Sequence, residues 1–256
     1  MDSRTLDVAL EKYKNMVKRL VDLTRATPSI LRLAESSSDL LKLAELSPNI
    51  SNISELHSNN TKSYPSATSL EDWLETINAK VTAENHEANM TISLDLGCGA
   101  TPRNPFGAHE LYGVDIIEDL GCNIMRANLA IQPIPFDRDQ FDYCTAFDFL
   151  EHVPRVLPTT DGSGTRFPFV EVMNEIWRIL RPGGLFLHQT PAFPCKQAFQ
   201  DPTHVNLITE DTIPYYFCEP NLYANKIGYG FHGKFECVGQ AWLNTAWIVG
   251  VLRAVK

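Results

Sequence analysis

The order of the predicted elements indicates a doubly wound α/β sheet with a mostly parallel centre, preceded by an N-terminal helical extension. From residue 91 onwards, short apolar strands alternate with turns and helices, as in sheets built from crossover connections. Two apolar runs near the C-terminus, separated by one turn, predict an antiparallel hairpin at one sheet edge. Residues 1–90 carry helical patterns and almost no strand signal. We therefore expect a helical part at 1–90 and a sheet domain at 91–256.

Five strands and one long helix are predicted in the parallel part of the sheet. The strands are expected at 91–96, at 110–115, shortly before Asn128, at 141–146 and at 185–189, and the hairpin strands at 235–243 and 247–254. The helix is expected over about 169–180. It should end at Arg181-Pro182-Gly183-Gly184, because proline and glycine stop a helix and turn the chain.

The N-terminal part shows the pattern of amphipathic helices. One helical stripe carries Leu6, Leu10, Tyr13, Val17 and Leu20. An apolar stripe of this kind must be buried against another surface. We expect these helices to cover a substrate cleft or to form a homodimer contact. Residues 47–66 are rich in Ser, Asn and Pro and are expected to be a linker, after which Ser69 begins a further helix.

Composition limits the classes of partner. The chain has 22 basic and 31 acidic residues, a formal net charge of −9, whereas nucleic-acid binding needs a concentrated basic surface. No apolar run is long enough to span a bilayer, and the first residues lack the basic and apolar regions of a secretory signal. The six cysteines form no Cys-x-x-Cys pair and fit buried thiols in a reducing compartment. We expect a cytoplasmic protein that acts on a small molecule, without nucleic-acid or membrane partners.

A two-glycine loop directly follows the first predicted strand. Residues 95–100 read Asp-Leu-Gly-Cys-Gly-Ala, and ligands of an open α/β sheet bind beyond the carboxyl ends of its strands. A dinucleotide fold would prefer a third glycine where Arg103 and Asn104 stand, and no Gly-Lys-Ser/Thr of a P-loop occurs. Asp115, at the end of the second strand, is placed to accept hydrogen bonds from both hydroxyls of a ribose.

Three later motifs complete an ordered set of five. They are Asn128-Leu129-Ala130, the segment 141–153 with Glu151-His152-Val153, and the segment 179–185 with Arg-Pro-Gly-Gly. Read in order, the set resembles the class I S-adenosylmethionine (SAM)-dependent methyltransferases over roughly 91–189 plus the C-terminal hairpin. The resemblance implies a Rossmann-like methyltransferase sheet with SAM as the cofactor.

The same resemblance implies which residues hold SAM. Gly97 and Gly99 would line the cofactor, and Asp95 would fix its amino-acid end. Asp115 would hold the ribose, with Ile116 against the adenine. The full implied set is Asp95, Gly97, Cys98, Gly99, Asp115, Ile116, Asn128, Leu129 and Phe147.

Two members of this set have particular expectations. Asn128 stands where the family often has an acid that contacts the adenine amine, and an amide can still hydrogen-bond there. Phe147 is expected near the sulfonium.

Methyl transfer to a hydroxyl also needs a group that removes a proton, and histidine or carboxylate can do this near neutral pH. Proline fixes a turn in Asp201-Pro202-Thr203-His204, so Asp201 and His204 could converge as a base with its partner or as ligands of a divalent metal. The alternative is a capped turn at a helix start. We favour His204 as the residue that acts on the nucleophile, with Asp201 orienting it or sharing a metal. We expect smaller roles for His152, in cofactor-pocket support, and for His188, as a core residue.

The substrate is inferred from the surroundings of this segment. The Asp-Pro-Thr-His stretch resembles methyltransferases encoded in bacterial surface-polysaccharide gene clusters, and aromatic residues surround it. The leading hypothesis is O-methylation of a small polar molecule, such as a sugar or a phosphorylated or nucleotide-linked precursor. The alternatives are an N-methyltransferase that acts on a small amine and a non-catalytic, methyltransferase-like subunit that supports a partner. The polar loop 156–169 is expected to be a flexible, solvated insertion or a lid.

Overall fold

The computed structural model describes residues 64–82, 90–117 and 123–256. The chain divides after Ser63, and all the described residues belong to the unit that begins at Tyr64. The helices and the homodimer contact predicted before residue 64 lie outside the described residues. Among the helices that are described, none is long and apolar enough to cross a membrane.

Within the described residues, eight strands form one sheet. They are β1 (Ser66–Ala67), β2 (Ile92–Leu96), β3 (Glu110–Asp115), β4 (Ile124–Arg126), β5 (Phe141–Phe147), β8 (Leu180–Pro191), β9 (Phe235–Leu243) and β10 (Trp247–Ala254). Their order is β1-β9-β10-β8-β5-β2-β3-β4. The strands from β8 to β4 are parallel, and β10 runs antiparallel to both β8 and β9. The predicted Rossmann-like α/β class with a C-terminal antiparallel hairpin is confirmed, with β1 added outside β9.

Helices cover both faces of this sheet. The described helices are α1 (Leu70–Thr82), α2 (Pro168–Ile179), α3 (Gln197–Gln200), α4 (Thr212–Phe217) and α5 (Tyr223–Lys226). On one face, α2 and α4 pack against the centre of the sheet. On the other face, α1 inserts Trp73, Leu74 and Ile77 against β8, β9 and β10. Glycine at Gly239 permits this close approach, because a Cβ there would lie 2.5 Å from the Ile77 side chain.

The segment Tyr64–Thr82 therefore packs with the sheet. Its strand β1 pairs with β9, and its helix α1 contributes to the core. The sequence division at residue 90 placed this segment with the N-terminal helices. That division stays a prediction, because most of residues 1–90 lies outside the described residues.

Helix α2 forms where its sequence predicts it. Pro168 occupies its first turn, where the missing N–H costs nothing, and the apolar residues recur on one side. Met173, Ile176 and Ile179 are fully buried by the sheet. Burial of such a side chain contributes about 1.5–3 kcal/mol.

The connection from β2 to β3 contains no helix. Residues 97–109 are all described and follow an irregular path between two adjacent parallel strands. Phe106 in this connection stacks on Tyr143 of β5, with ring centroids 4.5 Å apart. A stacked aromatic pair thus covers sheet surface that a crossover helix would otherwise cover.

Strand β8 is longer than the sequence predicts. Arg181-Pro182-Gly183-Gly184 forms a bulged start of this strand, rather than only a turn between helix and strand. Gly183 adopts the left-handed conformation with φ +79°. Arg181 forms an ion pair with Asp142 of the neighbouring β5, with a nitrogen–oxygen distance of 2.7 Å. Pairing with β5 extends the strand across residues that would otherwise form a turn.

Candidate functional site

The parallel sheet contains a topological switch point between β2 and β5. The chain proceeds from β2 to β3 and β4 on one side, and then returns as β5 on the other side of β2. Such a reversal leaves a crevice beyond the carboxyl ends of the two strands, where α/β proteins bind ligands. The predicted glycine loop follows β2 directly, so the fold brings it to this crevice.

The two glycines of the loop have different surroundings. Gly97 has φ +66° and Gly99 has φ +58°, a region that favours glycine. A Cβ at Gly97 would lie 2.7 Å from the Phe149 ring, so packing requires glycine at this position. Among the described residues, no atom lies within 4 Å of a Cβ placed at Gly99. The loop therefore keeps open space at Gly99, and a ligand could approach its backbone there.

Asp95 connects the loop to the sheet. Its side chain is buried, and its two oxygens accept hydrogen bonds from the Thr145 hydroxyl at 2.6 Å and the Arg103 N–H at 2.8 Å. Burial raises the pKa of Asp95, while both hydrogen bonds oppose this shift. The carboxylate thus fixes the loop against β5. Its predicted hold on the amino-acid end of SAM stays a prediction.

Asp115 lies at the end of β3 and faces the same loop. Its two oxygens accept the N–H of Gly99 at 2.8 Å and the N–H of Ile117 at 3.0 Å. An ionised carboxylate offers about four lone pairs, so further acceptor positions remain for ribose hydroxyls. The neighbouring Ile116 side chain is 63% exposed, an unusual position for a large apolar group. Both features fit a bound nucleoside.

The Cys98 side chain turns towards the sheet. A Cβ at Gly113 would lie 2.5 Å from the Cys98 sulfur. Burial, with smaller contributions from Asp95 and Asp115, raises the pKa of Cys98 to about 11. The thiol therefore stays neutral near pH 7 and packs under the loop.

The remaining predicted cofactor residues lie in three different environments. Asn128 is exposed, and its side-chain oxygen accepts the N–H of Ala130 at 3.1 Å. Leu129 is buried in the core. Phe147 is also buried, and the Arg103 guanidinium lies 4.6 Å from the centre of its ring. Their contacts with SAM stay predictions.

Two histidines that are distant in sequence meet beyond β5 and β8. The ring centroids of His152 and His204 are 4.8 Å apart, and their planes are nearly perpendicular at 79°. Glu151 is 1% exposed and lies beside them. One potential ligand atom from each of these three residues lies within 4.8 Å of the other two. Glu151, His152 and His204 are called the histidine cluster below.

Asp201 reaches this cluster through Thr203. One oxygen of Asp201 accepts both the N–H of Thr203 at 2.8 Å and its hydroxyl at 2.6 Å. The Thr203 oxygen lies 3.0 Å from Nδ1 of His152. Because the hydroxyl donates to Asp201, it can only accept from His152, so Nδ1 of His152 carries a proton, and in the neutral form of the ring Nε2 carries the lone pair. The arrangement orients His152, whereas the sequence suggested that Asp201 orients His204.

The cluster contains buried polar atoms that have no hydrogen-bond partner among the residues that the structure describes. One Glu151 oxygen accepts the Thr190 hydroxyl at 2.8 Å, but its other oxygen is buried without a partner. Nδ1 of His204 is likewise buried without a partner. Burial raises the pKa of Glu151 to about 7. Since most buried polar atoms in proteins are hydrogen-bonded, such atoms need an explanation.

Asn206 fixes the segment that carries His204. Its N–H donates to the Glu151 carbonyl, and its side-chain amide donates to the Leu150 carbonyl, both at 2.9 Å. Its side-chain oxygen accepts Nε–H of Arg155 at 2.6 Å. Sequence reasoning missed both Asn206 and Thr203. Their positions directly beside His204 were the only available signal.

His188 is separate from this cluster. It is fully buried in β8, and neither ring nitrogen has a hydrogen-bond partner in the part of the chain that the structure describes. Burial lowers the pKa of His188 to about 3, so the ring is neutral. Its ring lies over Gly250, where a Cβ would collide with it. His188 is thus a core residue, as expected, but its ring nitrogens form no hydrogen bonds with the described residues.

A cavity of about 250 Å³ lies between Arg155 and several aromatic side chains. Arg155, which bonds Asn206, forms one part of its wall, and Phe167, Tyr216 and Tyr229 form others. The rings of Phe167 and Tyr229 are 5.0 Å apart. The cavity therefore combines aromatic surfaces with one guanidinium group.

The polar loop 156–169 borders this cavity and contains a short hairpin, β6 (Leu157–Pro158) and β7 (Thr165–Arg166). Asp161 accepts hydrogen bonds at its turn from Thr159, at 2.6 Å, and from Ser163, at 2.7 and 3.1 Å. These bonds lower the pKa of Asp161 to about 2. The insertion is therefore an ordered hairpin, where the sequence suggested a flexible loop.

Comparison with known proteins decides the class. Residues 94–188 match the family model described as a methyltransferase domain, and this segment contains the glycine loop, Asp115 and Glu151-His152. The chain therefore contains a methyltransferase domain. The predicted enzyme class and its SAM cofactor are confirmed, whereas the resemblance to enzymes of polysaccharide gene clusters stays a prediction.

Solved structures similar to the methyltransferase include two named as SAM-dependent methyltransferases. The protein from Aquifex aeolicus is 13% identical, with 69% of this chain and 89% of that chain covered and a TM-score of 0.42. The protein from Mesorhizobium loti is 16% identical, with 68% and 96% covered and a TM-score of 0.42. These scores are too low to carry the assignment, which rests on the family model and on the site. No curated protein matches the chain in sequence.

Proposed function

We propose that this enzyme transfers the methyl group of SAM to a hydroxyl of a small polar molecule. A sugar, or a phosphorylated or nucleotide-linked precursor of a polysaccharide, is the substrate class that fits. The observation that carries the proposal is the histidine cluster beside the crevice. Phe149, whose ring borders Gly97, precedes His152 by one short turn, so the cluster and the glycine loop are neighbours.

The residues of the crevice fit SAM. Gly97 and Gly99 would present backbone to it, Asp115 would accept from its ribose, and the exposed Ile116 would cover its adenine. When bound, SAM supplies a methyl carbon on a positively charged sulfur. The protein must then hold the acceptor oxygen opposite that sulfur, and such positioning supplies much of the rate.

The histidine cluster would deal with the proton of the acceptor hydroxyl. As the new oxygen–carbon bond forms, the carbon–sulfur bond breaks and the hydroxyl proton must leave. His204 is our candidate to act on this hydroxyl, either by taking its proton or by holding a divalent ion. His152 lies against it, with Nε2 free to accept.

The cavity lined by Arg155, Phe167, Tyr216 and Tyr229 is suited to the rest of the substrate. Its aromatic walls match the apolar face of a sugar ring, and Arg155 complements a phosphate or carboxylate. An amine substrate would need no proton-accepting cluster, because it must only arrive unprotonated. The cluster therefore favours O-methylation over the alternative N-methylation.

The test is a transfer assay with methyl-labelled SAM and matched acceptor panels. One panel contains sugars, sugar phosphates and nucleotide sugars, and the other contains small amines of similar size. We expect labelled product in the first panel only, with the methyl on oxygen by mass spectrometry and NMR. Product in the amine panel alone would establish the N-methyltransferase alternative. Binding of SAM without transfer to either panel would favour a non-catalytic subunit.

A further inference from the structure

We propose that Glu151, His152 and His204 form a binding site for a divalent first-row transition metal ion that activates the acceptor hydroxyl. The role in activation rests on the proposed O-methylation, whereas binding of the metal does not. Two imidazoles and one carboxylate are a ligand set that suits Mn²⁺, Fe²⁺, Co²⁺ or Zn²⁺.

The distances suit a shared ion. One ligand atom from each residue lies within 4.8 Å of the other two. Ligand atoms at about 2.0–2.2 Å from a metal lie at most about 4.4 Å from one another. Small side-chain rotations would therefore bring all three atoms into coordination.

The unsatisfied atoms provide an independent observation. Glu151 is 1% exposed, and one of its oxygens has no hydrogen-bond partner within residues 64–82, 90–117 and 123–256. Nδ1 of His204 is buried and also lacks a partner. An unpaired buried polar group destabilises the free protein, and a metal ion bound by Glu151 and His204 would remove this penalty at both residues.

The surrounding hydrogen bonds have the arrangement that supports metal ligands. A metal-binding histidine usually donates its second N–H to a neighbouring oxygen, which fixes its tautomer. Here Nδ1–H of His152 donates to Thr203, which in turn donates to Asp201. The remaining Glu151 oxygen accepts the Thr190 hydroxyl at 2.8 Å, which orients the carboxylate. Asp201 thus supports the site without binding the ion.

Three protein ligands leave coordination positions open for the acceptor. A metal-bound hydroxyl loses its proton more readily, because the ion stabilises the resulting anion. The proton would pass to water, the acceptor oxygen would bond to the methyl carbon, and the carbon–sulfur electron pair would remain on sulfur. S-adenosylhomocysteine and the methyl ether are the products. The sequence already suggested a metal at Asp201 and His204, and the structure moves the ligands to the histidine cluster.

The first experiment measures metal binding without reference to activity. Untagged full-length protein, treated with a chelator and dialysed, is titrated with Mn²⁺, Co²⁺ and Zn²⁺ in separate calorimetric runs. We expect one ion per chain for at least one of these metals. His204→Asn and Glu151→Gln should each weaken binding by more than the roughly 10- to 100-fold typical of losing a supporting residue. Thr203→Val, which removes a supporting hydroxyl, should weaken metal binding by about 10- to 100-fold.

The controls separate loss of ligands from loss of folding. Glu151→Gln keeps an oxygen that can accept from Thr190, and thermal unfolding should show each variant to be folded. His232→Ala removes an exposed histidine outside the cluster and should leave metal affinity unchanged. Absence of stoichiometric binding, or binding that survives both His204→Asn and Glu151→Gln, would overturn the site.

The second experiment adds turnover of a hydroxyl acceptor found in the labelled-SAM assay. Chelated enzyme should lose activity, and the metal that binds should restore it. Full turnover in chelated enzyme that binds no ion would overturn the metal site and leave the O-methyltransferase standing. Stoichiometric binding at the cluster without methylation of any hydroxyl would support the site and count against the proposed function.

Discussion

The glycine loop and the histidine cluster lie at the same edge of the sheet but treat their polar groups differently. At the loop, both oxygens of Asp95 and both of Asp115 accept hydrogen bonds from neighbouring protein groups. At the cluster, a Glu151 oxygen and Nδ1 of His204 are buried and have no hydrogen-bond partner among the described residues. The carboxylates of the loop thus have hydrogen-bond partners at every oxygen, whereas two polar atoms of the cluster have none among the described residues.

This difference separates two kinds of site. Satisfied carboxylates hold the loop in one conformation, so a ligand meets preorganised backbone and loses little entropy on binding. Unsatisfied buried groups raise the energy of the free protein, which a ligand or a reacting group can lower. We therefore assign cofactor binding to the loop and chemistry to the cluster. Five predictions test this assignment.

The largest effect is expected at the cluster. His204→Ala should lower turnover by about 10² to 10⁴, the usual contribution of a group that handles a proton, while SAM affinity stays nearly constant. Steady-state kinetics and calorimetry with SAM measure the two quantities. His152→Ala should also reduce turnover, because its ring lies against His204. Full turnover in His204→Ala would show that residues 201–204 form only a capped turn and take no part in the reaction.

The second effect concerns the stability of the folded protein and the buried imidazole of His188. Burial lowers the pKa of His188 to about 3 from an ordinary 6.5, so below pH 6.5 only the unfolded state takes up this proton. Stability should therefore fall as the pH drops from 6.5 towards 3, with a loss of about 3 kcal/mol at pH 4.5 relative to pH 7.5.

Denaturant unfolding at the two pH values measures this loss. His188→Leu should lack the histidine contribution, whereas the exposed-site control His232→Ala should retain it. An equal pH dependence in His188→Leu and the unchanged protein would contradict the prediction.

The third effect concerns the affinity of the glycine loop and Asp115 for SAM. Asp115→Ala should weaken SAM binding by about 1.5–3 kcal/mol, the range for loss of charged hydrogen bonds. Calorimetry with SAM measures the change, and NAD and ATP should bind poorly in the same assay. Unchanged SAM affinity would remove Asp115 from the site.

The fourth effect distinguishes the two glycines. Gly99→Ala should cost about 1–2 kcal/mol of stability for its left-handed backbone, and its Cβ would occupy space kept open for the cofactor. Gly97→Ala should cost more stability, because its Cβ would also meet Phe149. Thermal unfolding and SAM titration of both variants test this contrast. Equal stabilities would show that Phe149 moves aside without cost.

The smallest effect is expected from removal of residues 1–63. No cofactor motif lies there, so a chain beginning at Tyr64 should bind SAM as the full chain does. A chain beginning at residue 83 is the contrasting variant, because it lacks β1 and the buried Trp73, Leu74 and Ile77 of α1 and should be destabilised. A folded 64–256 chain that cannot bind SAM would refute the prediction. Light scattering of both forms tests the homodimer.

Local patterns predicted the framework well. The strands at β2, β3, β5 and the C-terminal hairpin were predicted nearly to their ends, because alternating apolar runs and turn residues are local signals. The start of β8 was missed, since residues 181–184 have the local signature of a turn, whereas the strand pairs with β5 on both sides of them, at Leu180 and Leu185. The hairpin within 156–169 was missed because Asp161 fixes its turn through side-chain hydrogen bonds.

The sequence by itself determined the class of enzyme. The glycine loop, the acid at Asp115 and the order of strands are encoded in consecutive residues, so they can be read without knowledge of the fold. Only the tertiary structure decided which groups of the histidine cluster meet. His152 and His204 are far apart along the chain, and it is the docking of Asn206 on residues 150 and 151 that brings them together. The link from Asp201 through Thr203 to His152 has the same origin, because hydrogen bonds between distant segments exist only after the strands have set those segments side by side.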